Sequence, residues 1–125
     1  MIFGIGTDIV EVSRIERLLA QYGEAFAQRI LTVEEWLAFE QSTIQARFLA
    51  KRFSAKEAFA KALGCGLRAP ATFRNITITH DDLGKPVFDF KPALQTLLDQ
   101  RGIRHHHLTI SDEKELAVAF VVLEI

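Results

Sequence analysis

Arg52-Phe-Ser-Ala-Lys-Glu-Ala-Phe-Ala-Lys-Ala-Leu-Gly64 carries a carboxylate where an apolar helix face should run. The spacing predicts one long helix over about 44–63, capped by Ser42 or Thr43 and stopped in Gly64-Cys-Gly66, where flexible backbone replaces helix formers. Its stripe Leu49, Phe53, Glu57, Ala60 has Glu57 at the centre. Met1-Ile-Phe-Gly-Ile-Gly-Thr-Asp-Ile-Val10 reads instead as a strand. Its odd positions Phe3, Ile5 and Ile9 are apolar, while its even positions Gly4, Gly6 and Asp8 present bare backbone and one carboxylate. Burying an unpaired carboxylate is costly, so Asp8 and Glu57 each require a compensating cation. Two carboxylates together with a phosphate suit Mg²⁺.

Outward from these segments, Ser13-Arg-Ile-Glu16 and Thr32-Val-Glu-Glu35 both fit the capping box, which predicts helices over about 14–22, ending at Gly23, and about 33–41. Beyond the long helix the period changes. Residues 73–79 alternate, Asp81-Asp-Leu-Gly-Lys-Pro86 supplies turn chemistry, and 87–90 resumes as a strand, so this part reads as a hairpin. A short helix is expected over about 92–101, with Pro92 near its start and Gly102 just past its end. Strands over 103–111 and 115–125 follow. The fold class is therefore α+β, with a small antiparallel sheet against a long helix. The run Leu116-Ala-Val-Ala-Phe-Val-Val-Leu123 has no polar alternation, which predicts that both faces of this strand are covered. Either neighbouring subunits do this, or the long helix and the first strand do it within one subunit.

The 125 residues fit one domain, 1–125, large enough to bury a real core. No apolar run approaches the ~20 residues of a membrane span. Met1 is followed by strand-like sequence without a basic region and apolar signal core, and the single Cys65 cannot form an internal disulfide, so a cytoplasmic protein is expected. The formal net charge of −1 gives no global attraction to nucleic acid.

Taken together, Gly4-Ile-Gly-Thr-Asp-Ile-Val-Glu-Val-Ser-Arg-Ile15 and 52–64 resemble the two signatures of the 4′-phosphopantetheinyl transferases, of the small single-domain bacterial type. The resemblance extends over nearly the whole chain, including Asp82-Leu-Gly-Lys-Pro86 and His107-Leu-Thr-Ile-Ser111. It implies transfer of the phosphopantetheine arm of coenzyme A to a serine of apo acyl carrier protein, with release of adenosine 3′,5′-bisphosphate. By the same resemblance Asp8 and Glu57 hold Mg²⁺, and Lys61, one turn beyond Glu57, offsets charge on the diphosphate and departing nucleotide. The serine proton goes to Glu57 or to a water on the metal. Arg52, Lys56 and His107 are implied contacts of coenzyme A phosphates, Arg52 and His107 ahead of Lys56. Gly64 and Gly66 are expected along the pantetheine or phosphates. Arg14 and Arg17 suit an acidic helix of the carrier protein. The resemblance also implies a homotrimer with active sites between subunits. It favours the fatty-acid carrier protein over a polyketide or peptide-synthetase carrier domain, and intact Asp8, Glu57 and Lys61 weigh against a non-catalytic binding trimer.

Plainer readings stand beside these. Gly4-Ile-Gly6 lacks the third glycine of a dinucleotide loop. Glu57 and Lys61 also have the spacing of a simple i,i+4 ion pair, and Arg17 that of a solvated helix face. Of His105-His-His107, only His105 and His107 share a strand face, and no Cys or carboxylate cluster completes a zinc site. Cys65 is a small residue in a tight turn, and Phe48, Phe53 and Phe59 are core. Ser54 stands where the family often has alanine. Asp112 stands where many members have a neutral residue, which leaves the contacts at that strand end open.

Overall fold

A computed structural model describes residues 1–125. Elements follow in the order β1 (Ile2–Glu11), α1 (Val12–Tyr22), α2 (Glu24–Ile30), α3 (Val33–Gln41), α4 (Gln45–Leu63), β2 (Ile76–His80), β3 (Pro86–Phe90), α5 (Pro92–Gln100), β4 (His105–Asp112) and β5 (Leu116–Glu124). The sheet has the order β1-β5-β4 and is antiparallel throughout, while β2 and β3 form a separate hairpin. α4 is the axis on which everything packs. Its first half, through Leu49 and Ala50, closes an apolar cluster with α1, α2 and α3. Its second half, through Ala55, Ala58, Phe59, Ala62 and Leu63, closes a larger cluster with the sheet, the hairpin and α5. Phe59 is fully buried with its ring centroid 5.3 Å from Phe88 and 4.9 Å from Phe90. Burying such a ring stabilises the fold by about 1.5–3 kcal/mol.

Only one face of the sheet is covered by this chain. Ala117, Ala119, Val121 and Leu123 of β5 point inward and are buried, whereas Phe120 is 41% exposed and Ile5 and Ile9 of β1 are 58% and 63% exposed. β1 pairs edge to edge with β5, so it extends the sheet and cannot cover it. Of the two expectations for the apolar last strand, the one that closed both faces within a single subunit is therefore corrected.

Several local expectations are also revised. The capping box at Ser13 is not made. β1 runs directly into α1, and Val12 N–H donates to Glu115 O at 2.9 Å, so the ladder rather than Ser13 serves the helix start. The box at Thr32 is made, with Thr32 N–H donating to Glu35 Oε1 at 2.9 Å. α4 is entered through Ile44, whose N–H donates to Ser42 Oγ at 3.2 Å. α2 was not anticipated. It starts at once after Gly23, whose φ of 61° ends α1, and it has no side-chain cap to mark it. Phe73–Asn75 is a 3-10 turn rather than strand. Lys56 Nζ takes the Phe73 carbonyl, and Asn75 Nδ2 donates to Pro70 O at 2.8 Å.

Candidate active site

The site is built where β1 lies against α4. A Cβ on Gly4 would meet Ala62 O at 2.0 Å, and one on Gly6 would meet Ala58 O at 2.0 Å. The two glycines thus let strand backbone touch helix backbone, which α4 permits by placing alanines there. Asp8 follows on the same strand face. The consequence is that its carboxylate reaches the turn of α4 bearing Glu57 and Lys61. Lys61 Nζ donates to Asp8 Oδ1 and to Thr7 O, each at 3.1 Å. Asp8 Oδ2 is buried with no hydrogen-bond partner. Glu57 is held above the usual carboxylate range by burial first, then by the Asp8 charge, with Lys61 and Arg14 opposing. An orphaned carboxylate oxygen beside a second, reluctant carboxylate suits a cation. No cluster of three or more His, Cys, Asp or Glu side chains occurs, so the protein offers these two carboxylates and no more.

Arg14 of α1 lies with its guanidinium carbon 5.8 Å from the centroid of Phe53 and within electrostatic reach of Glu57. It also opens a groove of about 340 Å³ between α1, α2 and α4, floored by Phe26, Ile30, Phe53 and Phe73 and flanked by Arg29. Sequence reading missed Arg29 because it missed α2. Arg17 is exposed and makes no ion pair. Gly64 caps α4 at φ 88° and Gly66 follows at φ 67°, with open space where each side chain would be. Left-handed backbone, not close packing, is what requires glycine at both.

Three expected coenzyme A contacts lie elsewhere. Lys56 is fully buried, donating to Glu35 Oε1 at 2.6 Å, Ile30 O at 2.7 Å and Phe73 O at 3.1 Å. It has no donor left to offer a phosphate, so that expectation is corrected. Arg52 is 6% exposed. Its Nε stands 3.1 Å from Glu35 Oε2 without the alignment of a hydrogen bond, and its guanidinium sits 4.5 Å from the Phe48 centroid. It adjoins the same interior cluster, but no protein acceptor takes its terminal Nη donors, so unlike Lys56 it keeps them free. The helix period explains the error, since 52 and 56 share one face of α4 while 57 and 61 share another. His107 is on the outer face of the sheet, 2.5 Å from Glu124 Oε1, on the opposite side from α4. Within one chain it does not meet Glu57. Asp112 pairs with Arg47 at 2.6 Å, which settles the strand-end contact left open above.

Comparison with known proteins decides the family. The sequence profile of the 4′-phosphopantetheinyl transferase superfamily matches residues 4–121. The chain belongs to that superfamily. A phosphopantetheinyl transferase relative, the holo-[acyl-carrier-protein] synthase of Nitrosospira multiformis, is 60% identical over 124 residues, 99% of each chain. The crystal structure of the holo-[acyl-carrier-protein] synthase from Neisseria meningitidis covers 100% of both chains at 55% identity with a TM-score of 0.97. The Bacillus anthracis synthase, described in complex with coenzyme A (3′,5′-ADP), covers 98% of this chain and 96% of its own at 39% identity, TM-score 0.81. The superfamily profile thus spans both segments that build the Asp8, Glu57 and Lys61 cluster.

Proposed function

We propose that this chain has holo-[acyl-carrier-protein] synthase activity, moving the 4′-phosphopantetheine arm of coenzyme A to a serine hydroxyl of apo acyl carrier protein for fatty acid synthesis. The observation that carries this is Asp8 Oδ2, buried and unpartnered beside Lys61 and Glu57, in a chain that matches a synthase of that name over 99% of its length. In the reaction the serine oxygen bonds to the β-phosphorus and gives up its proton to Glu57 or to a water, the bond from that phosphorus to the bridging oxygen breaks, and adenosine 3′,5′-bisphosphate leaves. The orphaned oxygen fits a divalent cation: Asp8 and Glu57 would hold Mg²⁺, which when bound neutralises charge on the diphosphate. Lys61, 54% exposed at its side chain, is free to turn its ammonium to the departing phosphate.

The carrier protein is assigned to the Arg14 groove, where two arginines flank an aromatic floor suited to an acidic amphipathic helix. Gly64 and Gly66 give coenzyme A open backbone past the end of α4. A homotrimer accounts for the uncovered apolar sheet face and brings His107 to a neighbour's site, while its pairing with Glu124 is exchanged for a phosphate. No helix is long and apolar enough to cross a membrane, and the assignment is to the cytoplasm. The test is the intact mass of apo acyl carrier protein after incubation with this protein, coenzyme A and Mg²⁺, beside an EDTA control. A metal-dependent phosphopantetheine increment is expected. No increment across a panel of carrier proteins, with coenzyme A still bound, would leave a binding protein without transfer.

A further inference from the structure

Lys56 is an unusual occupant of a core. Its ammonium is fully buried, and burial pushes its pKa down to about 8 while Glu35 pulls the other way. An apolar side chain of similar volume would fill the space without that penalty. What an ammonium adds is three donors, and here each has an acceptor in a different segment: Ile30 O ending α2, Glu35 Oε1 on α3 and Phe73 O in the 3-10 turn. Ile30 and Phe73 form part of the floor of the Arg14 groove. The ring of Phe73 lies 5.5 Å from that of Phe53, one turn before Glu57 on α4. Lys56 itself directly precedes Glu57.

We infer that Lys56 is a positioning residue, which ties the groove floor to the turn of α4 that carries Glu57, so that an acceptor serine held by the groove meets the diphosphate in line. This rests on the carrier-protein reading of the groove. Reacting atoms must stand about 3–3.5 Å apart, and a misplacement of ~1 Å costs on the order of 10²-fold in rate. Two loosened carbonyls under the groove are enough for that.

The charges around Glu35 make the role separable from folding. Glu35 faces both Lys56 and Arg52 and also accepts Thr32 N–H and Ile78 N–H. Lys56→Met therefore leaves one carboxylate facing one guanidinium, whereas Glu35→Gln would strand two buried cations. The experiment compares wild type and Lys56→Met by steady-state transfer to acyl carrier protein and by thermal melting. Lys56→Met is expected to melt lower than wild type, because the Ile30 and Phe73 carbonyls lose their donor. Assayed below its melting point, it is expected to keep its KM for coenzyme A while kcat falls about 10–100-fold. An unchanged kcat overturns the inference. So does a lowered melting temperature with equal losses for both substrates, which is what a purely structural role produces. Should Lys56→Met not fold, Lys56→Gln, which keeps two donors, is expected to fold and show the same split; its failure to fold too would assign Lys56 to stability alone. Absence of transfer by the wild-type protein would instead sink the transferase reading itself.

Discussion

Gly6→Ala is the sharpest perturbation of this fold, because it adds one methyl where strand meets helix backbone. The new Cβ would lie 2.0 Å from Ala58 O and 2.6 Å from Ala62 N. Ordinary contact begins near ~3.5 Å, so β1 and α4 must separate by about 1.5 Å. Neither side yields easily. α4 is backed by fully buried Lys56 and Phe59, and Gly6 is paired with Val121 in the ladder. Overpacking of this kind costs about 3 kcal/mol. The buried methyl returns about 0.8 kcal/mol, leaving a net loss of roughly 2 kcal/mol. For a domain of this size that lowers the melting temperature by about 8 °C. Separation of the same extent would also pull Asp8 Oδ1 out of reach of Lys61 Nζ, now 3.1 Å away, and weaken the cation site proposed for Asp8 and Glu57. Calorimetry and a Mg²⁺ titration of carrier-protein modification read both effects. Melting within 2 °C of wild type, with an unchanged Mg²⁺ requirement, would refute the contact and the role of Gly6 in setting the site (about half a kcal/mol at this size).

Other outcomes follow from the same geometry. Glu57 is held above its ordinary pKa, so its charged form is disfavoured by folding. Glu57→Gln should therefore melt higher than wild type at neutral pH without metal. The difference should fade as pH falls below the ordinary carboxylate range, where the unfolded chain is protonated too, and saturating Mg²⁺ should narrow it at neutral pH; a lower melting point for Glu57→Gln in EDTA at pH 7 would contradict this. Lys61→Met should lower kcat by about 10²-fold with little effect on the carrier-protein KM, and single-turnover kinetics would expose the opposite pattern. Arg14→Glu should raise the carrier-protein KM by about 10-fold or more and leave coenzyme A binding, measured by calorimetry, unchanged.

The long helix and the first strand were legible in the sequence because they rest on local spacing, while joining Asp8, Glu57 and Lys61 into one site rested on the family resemblance. A strand alternates by two and a helix by three or four, so Asp8 falls with Gly4 and Gly6 and Glu57 falls with Lys61 before any tertiary contact is known. Gly64 as a helix stop was equally local. The short helix α2 was not legible, since it has no cap signal and is fixed by burial of Ala27 and Ile30 against its neighbours. Arg29 and the groove were lost with it.

What only tertiary structure decided is which charges are enclosed in the fold and which stay at the surface. Arg52, Lys56 and Lys61 lie within ten residues on one helix, and the resemblance implied phosphate contacts for all three, with Lys61 at the diphosphate and Arg52 ahead of Lys56. The structure buries the first two around Glu35, a residue from another helix, and leaves Lys61 over Asp8 at the surface. A charge's role depends on the dielectric around it and on the partner that long-range packing supplies. Both are properties of the assembled fold, which the order of residues along the chain specifies but does not display.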